Sequence, residues 1–222
     1  MNLNIVKEKI NKIEDDMNVL IMKPEDFAKI KHQIMVIKIL FSFGNLERCN
    51  RKKKFKGVDI KMKIAIIYHS ETGNTQKVAN LIAKGVEKIE GVEAKCMSID
   101  NVDKEFIEDA KAVFFGTPTY AGSYSWQMKK WLDTCKLKLA GKVGCVFATE
   151  NYLGGGADNA ELALLSELLV KGMFVYSVGS SEGKPYTHFG AVCIKDGDED
   201  QKKRVEIFAE RVAKNVKKLF NE

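Results

Sequence analysis

Between an apolar run and a helical pattern the chain reads His69-Ser70-Glu71-Thr72-Gly73-Asn74-Thr75. Ser70, Thr72, Asn74 and Thr75 carry short hydrogen-bonding side chains, and Gly73 tolerates the positive φ of a tight turn. A helix N-terminus offers unpaired N–H groups and the positive end of a dipole, both of which favour an anion. The chemistry expected of this loop is phosphate binding by neutral donors, because it holds no Lys or Arg. Turn and capping preferences explain any one of these residues. Together, between a buried strand and a helix, they indicate a phosphate. Neither G-x-G-x-x-G nor G-x-x-x-x-G-K-[ST] is present, which excludes the usual dinucleotide and P-loop chemistries. A phospho-acceptor receiver would need acidic residues after the first strand and an Asp ending the third. His69-Ser70 and Gly116-Thr117 occupy those places.

The elements that must position this loop alternate. Ile64–Tyr68 is a short β-branched run suited to a buried parallel strand. The helix after it carries Val78, Leu81, Ile82 and Val86 on one face. Val92–Met97 and Ala112–Gly116 read as the next strands, the latter followed by a helix with Tyr124, Met128, Trp131 and Leu132. Lys142–Ala148 is a fourth strand, followed by a helix over about Ala157–Lys171 with Gly172 as its C-cap. Met173–Val178 is a fifth strand, and a long amphipathic helix buries Val205, Phe208, Val212, Val216 and Leu219. The pattern predicts an α/β fold, a doubly wound five-stranded parallel sheet over residues 62–222. Ligands of such sheets bind beyond the carboxyl ends of the strands. The loops after strands one, three and four are therefore where function is expected.

Two further stretches narrow the reading: Gly116-Thr117-Pro118-Thr119-Tyr120-Ala121-Gly122, with Gln127-Met128 and Leu132-Asp133, and Gly154-Gly155-Gly156 after the fourth strand. Gly172-Met173 and Pro185-Tyr186 leading into Gly190-Ala191 fit the same pattern. With Ser70–Thr75, they make nearly all of residues 62–222 resemble flavodoxin-like FMN proteins. The match is nearest the tryptophan-repressor-binding-protein type of NAD(P)H:quinone oxidoreductase. The resemblance implies FMN as cofactor. Its phosphate would be held by Ser70, Glu71, Thr72, Gly73, Asn74 and Thr75. Thr117, Pro118, Thr119, Tyr120, Ala121 and Gly122 would follow one isoalloxazine edge. Thr149, Glu150, Asn151, Tyr152, Gly154, Gly155 and Gly156 would line the other side. A flavin wants a flat slot, apolar walls and backbone donors.

The resemblance implies NAD(P)H-dependent two-electron reduction of quinones or similar acceptors, with FMN and no side chain carrying the chemistry. The alternative is a flavodoxin-type electron carrier serving a redox partner protein. Carriers of that type resemble one another in being acidic, whereas residues 62–222 hold 22 Lys and Arg against 22 Asp and Glu. That neutrality and the Gly-Thr-Pro-Thr-Tyr loop favour the reductase. Three departures stand against it. Ser98–Lys111 leaves no room for the family's insertion between strands two and three, often linked to a tetramer. Val170-Lys171 stands where the family has a histidine, and Cys135–Leu139 offers no substrate-site Trp. A homo-oligomer is left open.

Other signals are weaker. Tyr120 and Tyr152 could stack on the flavin, as could Trp126, while Trp131 reads as core. His188 reads as structural. Gly179-Ser180-Ser181-Glu182-Gly183 matches G-x-S-x-G, but no helix follows, so no hydrolase elbow is expected. Asp196, Asp198 and Asp200 alternate without the rest of a calcium loop and suit a helix start. Cys49, Cys96, Cys135, Cys145 and Cys193 form no C-x-x-C pair, so no metal site or disulfide framework is expected.

Residues 1–61 hold 14 Lys and Arg against 8 Asp and Glu, and so contain the whole excess of +6. They read as an α-helical extension of two helices, with Pro24-Glu25-Asp26 opening the second and Asn50–Lys54 a basic linker. The segment could bind a partner or be a solvated basic tail. A third alternative is a non-native start, since Met62-Lys63-Ile64 is where a chain of this resemblance would begin. With the main domain neutral, the pI is no argument for nucleic acid or membrane. No signal-peptide architecture or apolar span appears, and the expected location is the cytoplasm.

Overall fold

The computed structural model describes residues 61–220, and the helices and basic linker expected before residue 61 lie outside them. The elements are β1 (Met62–Tyr68), α1 (Asn74–Glu87), β2 (Val92–Ser98), α2 (Lys104–Asp109), β3 (Ala112–Tyr120), β4 (Ser123–Tyr124), α3 (Trp126–Thr134), β5 (Val143–Glu150), α4 (Ala157–Val170), β6 (Phe174–Val175), β7 (Ala191–Ile194) and α5 (Glu199–Leu219). The sheet runs β2-β1-β3-β5-β6, and β7 also pairs with β5. All pairs are parallel except β3 with β4.

Alternation along the central strands builds two cores. Ile64, Ile66, Phe114, Cys145 and Phe147 face α1 and α5, meeting Val78, Ile82, Val86, Phe208 and Val212. Ala65, Ile67, Val113, Phe115 and Val146 face α2, α3 and α4, meeting Ile107, Met128, Leu132 and Leu164. Both faces of the sheet are thus covered, as a parallel sheet requires. Asp198 caps α5 by accepting from the Gln201 amide, and Glu199 and Asp200 lie in its first turn. The alternating acids are therefore helix-start residues that complement the dipole. No described helix is long and apolar enough to cross a membrane.

The structure corrects the sequence reading at four places. The fifth strand is not continuous over Met173–Val178. β6 covers only Phe174–Val175, opposite Val143–Gly144, and β7 completes the position opposite Phe147–Glu150. The chain leaves the sheet where Val178 and Gly179 take φ of 66° and 64°. Arg211 fastens the intervening loop to α5 by donating to the carbonyls of Gly183, Lys184 and Pro185 at 2.9–3.1 Å. The strand resumes at Ala191, just after Gly190, where a Cβ would stand 2.2 Å from the Val146 carbonyl oxygen. Second, β3 runs on to Tyr120 and turns back into β4, with Ala121 and Gly122 at φ of 48° and 74° between them. Two successive positive φ values make the tight hairpin turn. Thr117–Tyr120 is thus strand, and Tyr124 lies in β4 instead of a helix. Third, the short helix α2, capped by Asp103, lies in the β2–β3 connection. Fourth, Leu219 is largely exposed.

Candidate functional site

The carboxyl ends of β1, β3 and β5 enclose a cleft of about 370 Å³, within the range of small-molecule pockets (roughly 300–1,000 Å³). Its lining combines Ser70, Glu71, Thr72, Asn74 and Thr75 with Pro118, Thr119 and Tyr120, and with Thr149, Glu150 and Asn151. Three loops distant in sequence, each singled out above, therefore meet at one place. Register brings them together, because Tyr68 pairs with Gly116, and Pro118 with Thr149. The Thr75 and Thr149 hydroxyls lie 2.8 Å apart and tie the first turn of α1 to β5.

One end of the cleft is a helix N-terminus. Gly73 is the N-cap of α1 in the left-handed region, φ 85°, and no side chain caps it. The Gly73 amide donates to Ser70 Oγ at 3.1 Å and so shapes the loop. The first backbone bond of the helix runs from the Lys77 amide to the Gly73 carbonyl. The Asn74 and Thr75 amides precede it and have no intrahelical acceptor. Open amides and hydroxyls with no cation form an anion cradle of the phosphate-binding kind.

The other end is a slot between the β3–β4 hairpin and the β5–α4 connection. Thr119 Oγ1 is buried there without a hydrogen-bond partner among the described residues, an orphan that a polar edge of a bound ring would satisfy. Gly122 and Gly156 touch, since a Cβ on Gly156 would lie 2.8 Å from Gly122 Cα. Asn159 Nδ2 donates to the Gly122 carbonyl at 2.6 Å, fixing the separation of the two connections. The residues present fit a flat ring carrying a phosphate arm, which describes FMN.

Not every expected residue lines the cleft. Thr117 is fully buried, and its hydroxyl accepts from the Ser125 amide at 2.9 Å and donates to the Pro118 carbonyl. Its role is to hold the hairpin against α3. Glu150 does line the cleft, with its carboxylate accepting from the Ala157 amide at 3.1 Å and so plugging the N-terminus of α4. Gly154 and Gly156 line a separate cleft of about 460 Å³ with Leu153, Val192 and Arg204. Tyr152 and Trp126 are mostly exposed. Trp131 packs on Phe115, and His188 is exposed in the loop before β7.

Two groups beside the cleft went unassigned in the sequence. Gln127 Nε2 donates to Glu71 Oε1 at 2.6 Å, linking the first loop to α3. His69 is buried, with Nε2 4.0 Å from Glu71 Oε1 and its ring edge-on to Tyr120. Burial lowers the His69 pKa from its ordinary value, with Glu71 and Asp100 pulling the other way. Burial and then Glu71 raise the Tyr120 phenol. The only available signal for His69 was its adjacency to Ser70. Burial holds the Cys96 and Cys193 thiols up at about 12, and Cys145 is pushed up as well. None of the three is suited to thiolate chemistry.

Comparison with known proteins identifies the family. The chain belongs to the flavodoxin family, whose model matches residues 66–209, and that family binds FMN. A flavodoxin of Clostridium saccharobutylicum is 47% identical over 160 residues, covering 72% of this chain and 100% of the relative. An NAD(P)H dehydrogenase (quinone) of Archaeoglobus fulgidus is 29% identical over 188 residues, covering 71% of this chain and 98% of the relative. The solved structure of a flavodoxin, WrbA-like protein from Agrobacterium tumefaciens shares the fold, with TM-score 0.60 and 24% identity over 71% of this chain and 99% of that one.

Proposed function

We propose that this protein holds FMN in the cleft at the carboxyl ends of β1, β3 and β5 and works as an electron carrier to a redox partner protein. The observation that carries the FMN reading is the division of the cleft into open amides at α1 and a slot with an orphaned Thr119 hydroxyl. When bound, FMN supplies one- and two-electron transfer. The protein's residues bind, orient and shield it. Ser70, Thr72, Asn74 and Thr75 hold the phosphate, and Pro118–Tyr120 and Thr149–Asn151 bracket the ring.

The carrier role draws its support from the flavodoxin matched over its whole length. The short β2–β3 connection, which leaves space only for α2, agrees with it. A second reading is an NAD(P)H-dependent reductase of quinones or similar acceptors, supported by the Archaeoglobus relative and the Gly-Thr-Pro-Thr-Tyr hairpin. Stopped-flow mixing of flavin-loaded protein with NADH and with NADPH separates the two. A carrier gives no bleaching on the seconds scale and two resolved one-electron steps on dithionite titration. Rapid bleaching followed by reoxidation with benzoquinone would install the reductase instead. We further infer that residues 62–222 are the whole flavin-binding unit, since a complete relative aligns over 160 residues.

A further inference from the structure

A phosphate entering the cleft meets an unusual electrostatic problem. The formally charged lining residues are Glu71 and Glu150, both acidic. Lys77, in the first turns of α1, is already paired with Asp196 at 2.9 Å. Like charges at close range disfavour binding unless something compensates. One group can change its charge to do so. His69 directly precedes Ser70, is only 6% exposed, and places Nε2 4.0 Å from the Glu71 carboxylate. Its Nδ1 has no hydrogen-bond partner among the described residues.

We propose that His69 is a proton-binding site coupled to the phosphate end of the cleft. A phosphate dianion settling on the Ser70–Thr75 loop draws a proton from solvent onto the imidazole, whose Nε2 lies 4.0 Å from the carboxylate of Glu71 in that same loop. The inference rests on the FMN reading above. The groups that act on the ring are Glu71 in its own loop, Asp100 after β2 and the Tyr120 phenol at the end of β3. The two carboxylates favour the cation, and burial favours the neutral ring. Burial outweighs the two carboxylates and holds the pKa below its ordinary value. A dianion adds a third negative group and reverses the balance. The proton joins a ring nitrogen and no bond breaks. Glu71 gains a cation beside it, so its repulsion of the phosphate is offset.

The sign follows from linkage. Binding that takes up a proton weakens as pH rises through the pKa of the bound state. Above about pH 7 the free phosphate is already a dianion, its second pKa being roughly 6, so its own titration does not contribute. The test is a calorimetric titration of the full-length apoprotein with FMN and with riboflavin, which lacks the phosphate. We expect the FMN dissociation constant to rise about 3- to 10-fold between about pH 7 and pH 8.5, and that of riboflavin to stay flat. His69→Asn should flatten the FMN profile at the weaker value. Should that variant not fold, the wild-type protein still decides the matter. Titration in two buffers of different ionisation enthalpy must show net proton uptake, and the His69 imidazole signals must move to the cationic form on FMN addition. A flat FMN profile, an equal slope for riboflavin or no proton uptake overturns the coupling while leaving FMN binding intact. Absence of any FMN binding overturns the functional reading and the coupling with it.

Discussion

Two helices begin beside the cleft in nearly the same way, and only one of them is open. α1 and α4 both follow a buried strand, and both have a left-handed glycine as N-cap, Gly73 at φ 85° and Gly156 at φ 94°. In neither does the cap residue supply a side-chain bond. The first turn of α1 contains no acidic residue. At α4, Asp158 occupies the first turn and the Glu150 carboxylate takes the Ala157 amide. A helix N-terminus attracts negative charge wherever it occurs. Satisfying one end with the chain's own carboxylates directs a phosphate to the other. On the proposed reading, the location of the phosphate depends as much on what closes α4 as on what opens α1.

The largest effect should come from closing α1. Thr72→Pro removes a backbone donor and constrains Glu71 before it. Losing a charge-assisted bond costs about 1.5–3 kcal/mol, at least about a tenfold weakening. With the loop also distorted, equilibrium dialysis with FMN should detect no binding. Retained tight binding would mean that the phosphate sits elsewhere.

Opening α4 should do less. Glu150→Ala exposes the Ala157 amide and should cost about 1 kcal/mol, read as a Tm lower by a few degrees (about 2–8 °C). Inorganic phosphate should now protect the variant more than the wild type, because a second anion site has appeared. Equal protection of the two proteins would show that Glu150 is not the plug.

Further along α4, Glu161 is 1% exposed, and its Oε1 has no partner among the described residues. Burial, with Asp158 nearby, raises its pKa well above the ordinary carboxyl value. A carboxyl raised in the folded state contributes stability that is fully present below the unfolded pKa, near 4.3. That contribution is lost as pH rises toward the folded pKa, at about 1.4 kcal/mol per pH unit. Glu161→Gln, isosteric and neutral, should therefore be more stable than wild type at pH 8, with the gap closing toward pH 4. Urea denaturation at the two pH values measures it. A variant weaker than wild type at pH 8 would show that the carboxyl has a partner worth more than its burial costs.

The smallest expected change is none. A chain beginning at Met62 should fold and take up FMN with the affinity of the full-length protein. Insoluble or flavin-free product would assign residues 1–61 a part in the fold or the site.

The open half of this comparison was legible in the sequence, and the closed half was not. Ser70–Thr75 announces itself because a run of donors with one glycine between a β-branched strand and an amphipathic helix has few other uses. Glu150 does line the cleft, but nothing local to Thr149-Glu150-Asn151 says that its carboxylate turns to the Ala157 amide. The split fifth strand was hidden for a related reason. Met173–Val178 has strand composition throughout, yet the loop between β6 and β7 is held by Arg211, distant in sequence. Glu161 falls on a helix face that is otherwise Ala and Leu, and only the return of the chain at Gly190 shows how tightly that face is covered. Local pattern reveals where strands and helices run. Which polar group closes which helix end is decided by tertiary contacts.

The central claim is that the phosphate of FMN is held at α1. Isotope-labelled full-length apoprotein, titrated with FMN and with riboflavin, tests it directly through backbone amide shifts. FMN should move the Glu71–Thr75 amides strongly and leave Ala157 and Asp158 little changed, and riboflavin should spare the loop and bind at least about tenfold more weakly. Equal affinities, or FMN-specific shifts centred on Ala157, would contradict the account.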